Sequence, residues 1–195
     1  MKRVLDVFLV SFFLWLILPL LIIGSVLILL FDGKPVFFIQ QRIGFGGKVF
    51  NLVKFRTMSV DPVNVEGSFD VGSSARVTAV GALLRRTKLD ELPQLWNVVR
   101  GDMSLVGPRP EVFKWVNTYP ERWKKVHQVR PGVTDPASII YRNEEQLLSQ
   151  SSDPEKTYRE EVLPHKLSLY ESYVDNWSLL GDIKILLKTV AVLLK

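Results

Sequence analysis

An adjacent pair of carboxylates, Asp90 and Glu91, stands near the middle of this 195-residue sequence. Two carboxylates can divide the roles of nucleophile or metal ligand and of acid or base, provided that their surroundings separate their pKa values. A purely structural interpretation is also available, because the helix dipole alone favours acidic residues in the first turn of a helix. The pair by itself leaves both interpretations open.

Basic side chains from three other segments could surround this pair. Arg109 lies between two prolines, whose restricted backbone lowers the entropy that its guanidinium loses on binding a phosphate. Lys54 alternates with Arg56 along a predicted strand, and Arg85 lies at the end of a predicted helix. On a solvated surface each would be unremarkable. Together they are typical of phosphoryl transfer and of a Mg²⁺ ion held by carboxylates and substrate phosphates.

The composition limits the classes of partner. A formal net charge of +5 suits an anionic partner, such as a phosphate-bearing substrate, an acidic lipid surface or nucleic acid. We expect no nucleic acid, because no recognised motif or aromatic platform accompanies the charge. The chain has no cysteine and only two histidines, His127 and His165, which excludes disulfides, cysteine-ligated zinc and a histidine-rich metal site.

The elements that must position these residues are predicted from local patterns. Two strand-like runs, 36–39 and 49–53, flank a glycine-rich turn and predict a β-hairpin that leads into Lys54. The polar stretch 59–74 predicts a loop. Apolar spacing from Val77 predicts a helix that ends at Arg85 and Arg86. A second helix is predicted from Leu89 or Asp90 to Val99, since a proline at 93 is tolerated only in the first turn.

The C-terminal half is predicted to be helical, with interruptions near Pro120 and Pro164. Its tail, 179–195, is amphipathic and is compatible with a core helix or with a helix in the membrane interface. Its lysines slightly favour the interface. The expected fold is therefore α+β: a mainly helical domain with a short β-hairpin and interfacial amphipathic helices.

The N-terminal segment Val7 to Phe31 contains no charged residue and is long enough to cross a hydrocarbon core of roughly 30 Å. It is too long for a typical signal peptide, and no small-residue cleavage site follows. Pro19 at its centre favours a kink or a break. Basic residues flank both ends, so the positive-inside rule places both in the cytoplasm. A re-entrant helix broken at Pro19 satisfies that rule, while an ordinary kinked span remains the alternative.

Several motifs occur here in the order and spacing of one known family. They are Lys2-Arg3 with Asp6, the apolar run with Pro19, Gln41-Arg42 with Gly44, and the segments 54–58, 89–98, 101–110 and 130–134. On these motifs the sequence resembles the bacterial monotopic phosphoglycosyl transferases, small sugar transferases that act on polyprenol phosphates. The resemblance runs from Lys2 to about Gly132 and resumes in the C-terminal helices.

The resemblance implies an activity and its partners. Such enzymes transfer a sugar 1-phosphate from a UDP-sugar to undecaprenyl phosphate and release UMP, in the first membrane step of surface polysaccharide or glycoconjugate synthesis. The implied mechanism is ping-pong through an aspartyl–phosphosugar intermediate. We expect an N-acetylated amino sugar as the donor's sugar, a location at the cytoplasmic face of the bacterial inner membrane, an anchor at 1–31 and a catalytic domain at 32–195. A homodimer is one option for the assembly.

The resemblance also implies residue roles. Asp90 would be the nucleophile and a Mg²⁺ ligand, and Glu91 its partner in proton handling. Arg109 and Arg85 would bind substrate phosphates, with Lys54 as a further basic group of the site.

The sequence departs from the family pattern in two places. Leu18 precedes Pro19 where the family usually has serine. Asp135-Pro136-Ala137-Ser138 replaces a usual Gly-Trp-Ala-Gln, and a turn role for Asp135 is favoured over a sugar contact.

Overall fold

A computed structural model describes residues 2–60 and 76–193, and its fold is α+β and mostly helical, as predicted. The helices are α1 (Lys2–Phe12), α2 (Leu14–Phe31), α3 (Ala79–Arg86), α4 (Gln94–Arg100), α5 (Phe113–Val116), α6 (Pro120–Val126), α7 (Pro136–Ile140), α8 (Glu144–Ser149), α9 (Pro154–Thr157), α10 (Leu163–Asp175) and α11 (Leu179–Leu193). The strands are β1 (Phe37–Ile43), β2 (Val49–Phe55), β3 (Ser104–Val106) and β4 (Gly132–Thr134). Most of the predicted loop 59–74 lies outside the described residues.

The predicted β-hairpin is confirmed. Strands β1 and β2 pair antiparallel, with Phe37 opposite Phe55 and Ile43 opposite Val49. The outer edge of β2 is completed by one side chain of α4. The Asn97 Oδ1 atom accepts from the backbone N–H of Val53 at 3.1 Å, and its Nδ2 atom donates to the carbonyl of Asn51 at 2.7 Å. A fully buried asparagine thus takes the place of a third strand and fixes α4 against the hairpin.

Two short strands, β3 and β4, pair in parallel, with Ser104 opposite Gly132 and Val106 opposite Thr134. The backbones approach closely where β3 ends. A Cβ atom at Gly132 would lie 2.1 Å from the backbone nitrogen of Gly107, so only glycine fits there. The segments that follow β3 and β4 leave the same edge of this pair.

The apolar core joins the N-terminal helices to the rest of the chain. The largest cluster centres on Trp115 and Trp123 and packs α6 against α10. A second cluster places Val10 of α1 with Val98 and Met103. A third places Ile28 of α2 beside Phe55 and Leu84.

The break in the N-terminal segment does not lie at Pro19, so that prediction is wrong in its position. Pro19 is inside α2, and the helix is interrupted at Phe13. The physical reason is that a proline cannot donate to the carbonyl four residues back, here that of Trp15. The helix is therefore weakest on the N-terminal side of the proline, and the interruption lies there. Helix α2 has 18 residues, a mean hydropathy of 2.9, and the length and composition to cross a membrane.

Both ends of this apolar segment are hydrogen-bonded to the domain that follows. Near the start, Arg3 donates to the carbonyls of Val98 and Val99. The buried Asp6 accepts from the hydroxyl of Ser104 at 2.8 Å. At the other end, the Asp32 carboxylate accepts from the Thr78 hydroxyl at 2.8 Å.

Candidate active site

The carboxylate pair lies in a tight turn that precedes α4. Because Pro93 has no N–H, it cannot donate to the carbonyl of Leu89 in the α-helical pattern. That carbonyl accepts instead from Leu92, three residues on, at 3.1 Å, and the segment Leu89–Glu91 forms a 3₁₀ turn. The helix predicted from Leu89 or Asp90 therefore begins later, at Gln94. The turn directs the two neighbouring carboxylates into different surroundings.

Glu91 forms a bidentate ion pair with Arg109. The Nη2 atom of Arg109 lies 2.5 Å from Oε1 of Glu91, and its Nη1 atom lies 3.2 Å from Oε2. Burial opposes the ionisation of Glu91, but the charge and hydrogen bonds of Arg109 outweigh it and lower the pKa of Glu91 to about 2. The charge of Glu91 raises the pKa of Arg109 well above its ordinary value in turn. Both groups are therefore charged throughout the physiological range.

Asp90 lies in the opposite environment. It is 8% exposed, and its Oδ1 atom has no hydrogen-bond partner within ranges 2–60 and 76–193. Burial, followed by the charge of Glu91, raises the pKa of Asp90, and Lys54, Lys88 and Arg109 oppose the rise. The two carboxylates thus have pKa values displaced in opposite directions, which is the condition for dividing nucleophile and partner roles.

Lys54 belongs to the same cluster of charges. Burial, and then the charge of Arg109, lowers the pKa of Lys54 to about 8, although Glu91 and Asp90 act in the other direction. A partly desolvated ammonium group near two carboxylates suits a site that binds a diphosphate. The structure thus brings together four of the predicted residues, Asp90, Glu91, Arg109 and Lys54.

Arg85 makes other contacts. Its Nε atom donates to the Thr57 hydroxyl at 2.9 Å, and its Nη1 atom lies 3.3 Å from Oε1 of Glu145. No hydrogen bond joins it to the carboxylate pair within the described chain. Its role in phosphate binding stays a prediction.

Arg42 was not predicted as a site residue, although it belongs to a motif of the resemblance. Its Nη1 atom lies 3.2 Å from Oε2 of Glu111, and the Tyr158 hydroxyl donates to the other carboxylate oxygen, Oε1, at 2.6 Å. Burial, and then the charge of Arg109, lowers the pKa of Arg42 against the effect of Glu111. Arg42 therefore lies close enough to the site for the charge of Arg109 to change its pKa. Its position within β1, twelve residues before Lys54, gave no local signal of that proximity.

The fit of Mg²⁺ can be judged from the donor atoms. No group of three or more histidine and carboxylate side chains is gathered in the described parts of the chain. One carboxylate oxygen, Oδ1 of Asp90, is buried and unpaired, as a metal ligand would be. Mg²⁺ is commonly held by one or two carboxylates together with substrate phosphates, so the site fits such an ion.

Asp135 has a local structural role, which the sequence favoured over a sugar contact, but it is the N-cap of α7 and not a turn residue. Its Oδ1 atom accepts from the backbone N–H groups of Ala137 at 2.7 Å and Ser138 at 3.0 Å, and thereby caps α7. The side chain has no exposed surface, so it does not meet solvent or a sugar directly.

The fold and the site together define a class of protein. It has a mostly helical α+β domain joined to apolar N-terminal helices. Its carboxylate pair lies close to basic side chains, an arrangement that suits phosphate-bearing substrates. The whole chain, residues 1–195, matches the bacterial sugar transferase family, and it belongs to that family. It is therefore a transferase, of the group that transfers sugar 1-phosphates to polyprenol phosphates.

Three relatives illustrate this membership. The chain is 38% identical over 190 residues to an "uncharacterized sugar transferase EpsL" of Bacillus subtilis, covering 97% of this chain and 85% of the relative. It is 37% identical to a UDP-glucose:undecaprenyl-phosphate glucose-1-phosphate transferase of Caulobacter vibrioides, covering 99% of this chain and 69% of that protein. It is 33% identical to a UDP-N-acetylgalactosamine-undecaprenyl-phosphate N-acetylgalactosaminephosphotransferase of Aeromonas hydrophila, covering 99% of this chain but 43% of that longer protein.

Proposed function

We propose that this protein transfers a sugar 1-phosphate from a UDP-sugar to undecaprenyl phosphate, with UMP as the second product, in the synthesis of a surface polysaccharide or glycoconjugate. The observation that carries the proposal is the desolvated Asp90 carboxylate beside the bidentate Glu91–Arg109 pair and Lys54. The names of the relatives from Caulobacter and Aeromonas describe this type of transfer.

The proposed reaction has two steps. A carboxylate oxygen of Asp90 attacks the phosphorus that carries the sugar, and the bond between that phosphorus and the bridging oxygen breaks. UMP leaves with the electron pair, and an aspartyl–phosphosugar remains. An oxygen of undecaprenyl phosphate then attacks the same phosphorus and displaces the Asp90 carboxylate. Because UMP leaves before the lipid phosphate enters, two anions that repel each other need not share the site.

The cations have distinct tasks in this scheme. Arg109 presents a planar pair of donors to phosphate oxygens, and Lys54 adds a point charge. While Arg109 is bound to it, Glu91 is a weak base, with a pKa of about 2. Movement of Arg109 toward a substrate phosphate would weaken that pair and raise the basicity of Glu91. This movement would enable Glu91 to take the proton of an incoming phosphate monoanion.

Mg²⁺ is proposed as the cofactor, with Asp90 as its protein ligand and substrate phosphates completing its coordination. When bound, such an ion would neutralise the charge that develops on the departing UMP.

The apolar segment is proposed to enter the inner membrane from the cytoplasmic face and to return to it. Lys2 forms an ion pair with Asp182, and Asp32, at the other end, bonds to Thr78, so both ends contact the domain that holds the site. The side chains at the interruption between the helices are exposed and apolar, with Trp15 72% exposed. A hairpin of helices inserted by its tip accounts for these facts better than a straight span.

Helix α11 supports the same orientation. Its exposed apolar side chains, which would lie in the membrane interface, are Leu180, Ile183, Leu187 and Val190.

UMP release from a panel of UDP-sugars, with undecaprenyl phosphate and Mg²⁺ present, tests the proposed activity. We expect the highest rate with an N-acetylated amino sugar. Asp90→Asn should abolish turnover and the covalent phosphosugar adduct, while Asp175→Asn, in an exposed ion pair with Lys125, should be fully active. Full activity of Asp90→Asn would refute the nucleophile assignment. An absence of UMP with every donor would favour a non-catalytic membrane adaptor.

Topology has its own test. Because the chain has no cysteine, a single cysteine at Lys2 can be probed with a membrane-impermeant thiol reagent. We expect reaction from the cytoplasmic side only. Reaction from the periplasmic side would require a spanning segment.

A further inference from the structure

The segments that follow β3 and β4 bring Asp135 next to the loop that holds Arg109. Parallel strands send their carboxyl ends to the same edge, and Arg109 and Asp135 follow those ends by three residues and one residue. The backbone N–H of Gly107 donates to the carbonyl of Thr134 at 3.0 Å, which holds the two segments in contact. This placement exists only in the folded chain, because the two residues are far apart in sequence.

The carboxylate of Asp135 is fully buried and has no free oxygen. Its Oδ1 atom accepts from the N–H groups of Ala137 and Ser138, and its Oδ2 atom accepts from the hydroxyl of Ser138. The side chain therefore cannot reach a substrate without losing its cap. Burial raises the pKa of Asp135, and the hydrogen bonds of Ser138 together with the charge of Arg109 oppose the rise by favouring the ionised form.

A cap alone does not explain a charge at this position. Asparagine and serine cap helices about as well as aspartate. A buried carboxylate without a cation, however, carries a large desolvation penalty. The charge of Asp135 therefore calls for a cation nearby.

Arg109, in the adjoining segment, is one such cation. The charge of Asp135 contributes to the raised pKa of Arg109, after the larger effect of Glu91, and Arg109 acts reciprocally on Asp135. A second cation, Lys166, also acts on Asp135, but Lys166 lies 2.6 Å from its own carboxylate partner, Glu144. Arg109 thus has one directly bonded counter-charge, Glu91, and a second acidic group, Asp135, in the adjoining segment.

We propose that Asp135 is a positioning residue for Arg109, whose buried charge holds the guanidinium in place when a substrate phosphate draws it away from Glu91. This inference rests on the proposed function, in which Arg109 binds a phosphate. Without the second counter-charge, the guanidinium would either stay on Glu91 or lose its fixed orientation. The consequence is weaker binding of the donor diphosphate.

Asp135→Asn separates the charge from the cap. The amide oxygen still accepts from the two N–H groups, and the Ser138 hydroxyl can rotate to accept from the amide nitrogen. We expect the KM for the UDP-sugar to rise about tenfold, because Arg109 loses its second counter-charge. Asp153→Asn is the matched control, because Asp153 caps α9 through a 2.9 Å bond to the N–H of Lys156 and is exposed. Its KM should not change.

A double-mutant cycle with Arg109→Gln tests whether Asp135 acts through its charge on Arg109 or only as the cap of α7. The full-length chain in lipid nanodiscs is compared with both single variants and the double variant, by denaturant unfolding and by initial rates. If Asp135 acts through Arg109, the effect of Asp135→Asn on unfolding should shrink at least severalfold in the Arg109→Gln background. Equal effects in the two backgrounds would overturn the inference, as would a KM within twofold of wild type for Asp135→Asn.

These outcomes are distinguishable from failure of the proposed function. The unfolding cycle does not need an active enzyme, so zero coupling refutes the role of Asp135 alone. A wild-type chain that releases no UMP from any donor refutes the proposed function, and with it the role of Asp135 in donor binding.

Discussion

Replacing Lys54 with arginine is expected to remove the alkaline limb of the pH–rate profile. Burial and the charge of Arg109 lower the pKa of Lys54 from 10.5 to about 8. At pH 9, one unit above that value, only about one-tenth of the lysine remains charged. If the charge binds the donor diphosphate, kcat/KM should fall about tenfold for each pH unit above 8.

The assay is UMP release at low UDP-sugar concentration between pH 6.5 and 10, for wild type and for Lys54→Arg. Arginine stays charged across this range, so the variant should keep a flat profile above pH 8, with a lower maximum because its planar group has a different geometry. Lys48→Arg, in the exposed turn of the same hairpin, should retain the limb. A limb that persists in Lys54→Arg, or a wild-type profile without one, would refute the assignment.

Stability should change with pH in the opposite direction to activity. The pKa of Lys54 is lower in the folded chain than in the unfolded chain, so between about pH 8 and 10.5 the unfolded chain binds more protons. The contribution of Lys54 to the free energy of unfolding therefore rises with pH through this window and is smallest below pH 8. Denaturant unfolding of wild type against Lys54→Met at pH 7.5 and pH 10 should show this difference in slope.

Three further substitutions test the scaffold. Gly132→Ala should lower the free energy of unfolding by about 3 kcal/mol or more, because the new Cβ would lie 2.1 Å from the nitrogen of Gly107; wild-type stability would contradict that contact. Asn97→Ala should lower it by about 2 kcal/mol, because two backbone groups of β2 lose their partner, whereas the exposed Asn117→Ala should have little effect. Lys2→Ala should lower the free energy of unfolding by about 2 kcal/mol, because it breaks the ion pair with Asp182. The loss should be smaller than for a fully buried pair, since the lysine is 24% exposed. Protease cleavage near the N-terminus should increase when the variant is held in nanodiscs. Unchanged cleavage would contradict a role for Lys2 in holding α1.

Much of the local structure followed from the sequence. A glycine-rich turn between two alternating runs predicted the hairpin, and Pro120 marked an interruption that the structure confirms between α5 and α6. The interruption predicted near Pro164 is wrong, because the chain continues there from a π-helical turn, Tyr158–Val162, directly into α10. Four residues that the sequence offered for phosphate chemistry, Asp90, Glu91, Arg109 and Lys54, lie in one cluster of charges, and their roles in catalysis stay predictions. These signals act over a few residues, so they do not depend on how distant segments pack.

Only the tertiary structure determined which residues from distant segments contact each other. Nothing local indicates that Arg109 binds Glu91, that Asn97 completes the edge of β2, or that Arg42 lies near the site. The helix interruption was expected at the proline but lies at Phe13. Asp135 was predicted to be a turn residue, and the structure shows a fully buried carboxylate that caps α7 and whose pKa burial raises. Burial and counter-charge arise from segments far apart in the chain, and they set pKa values that no sequence pattern contains.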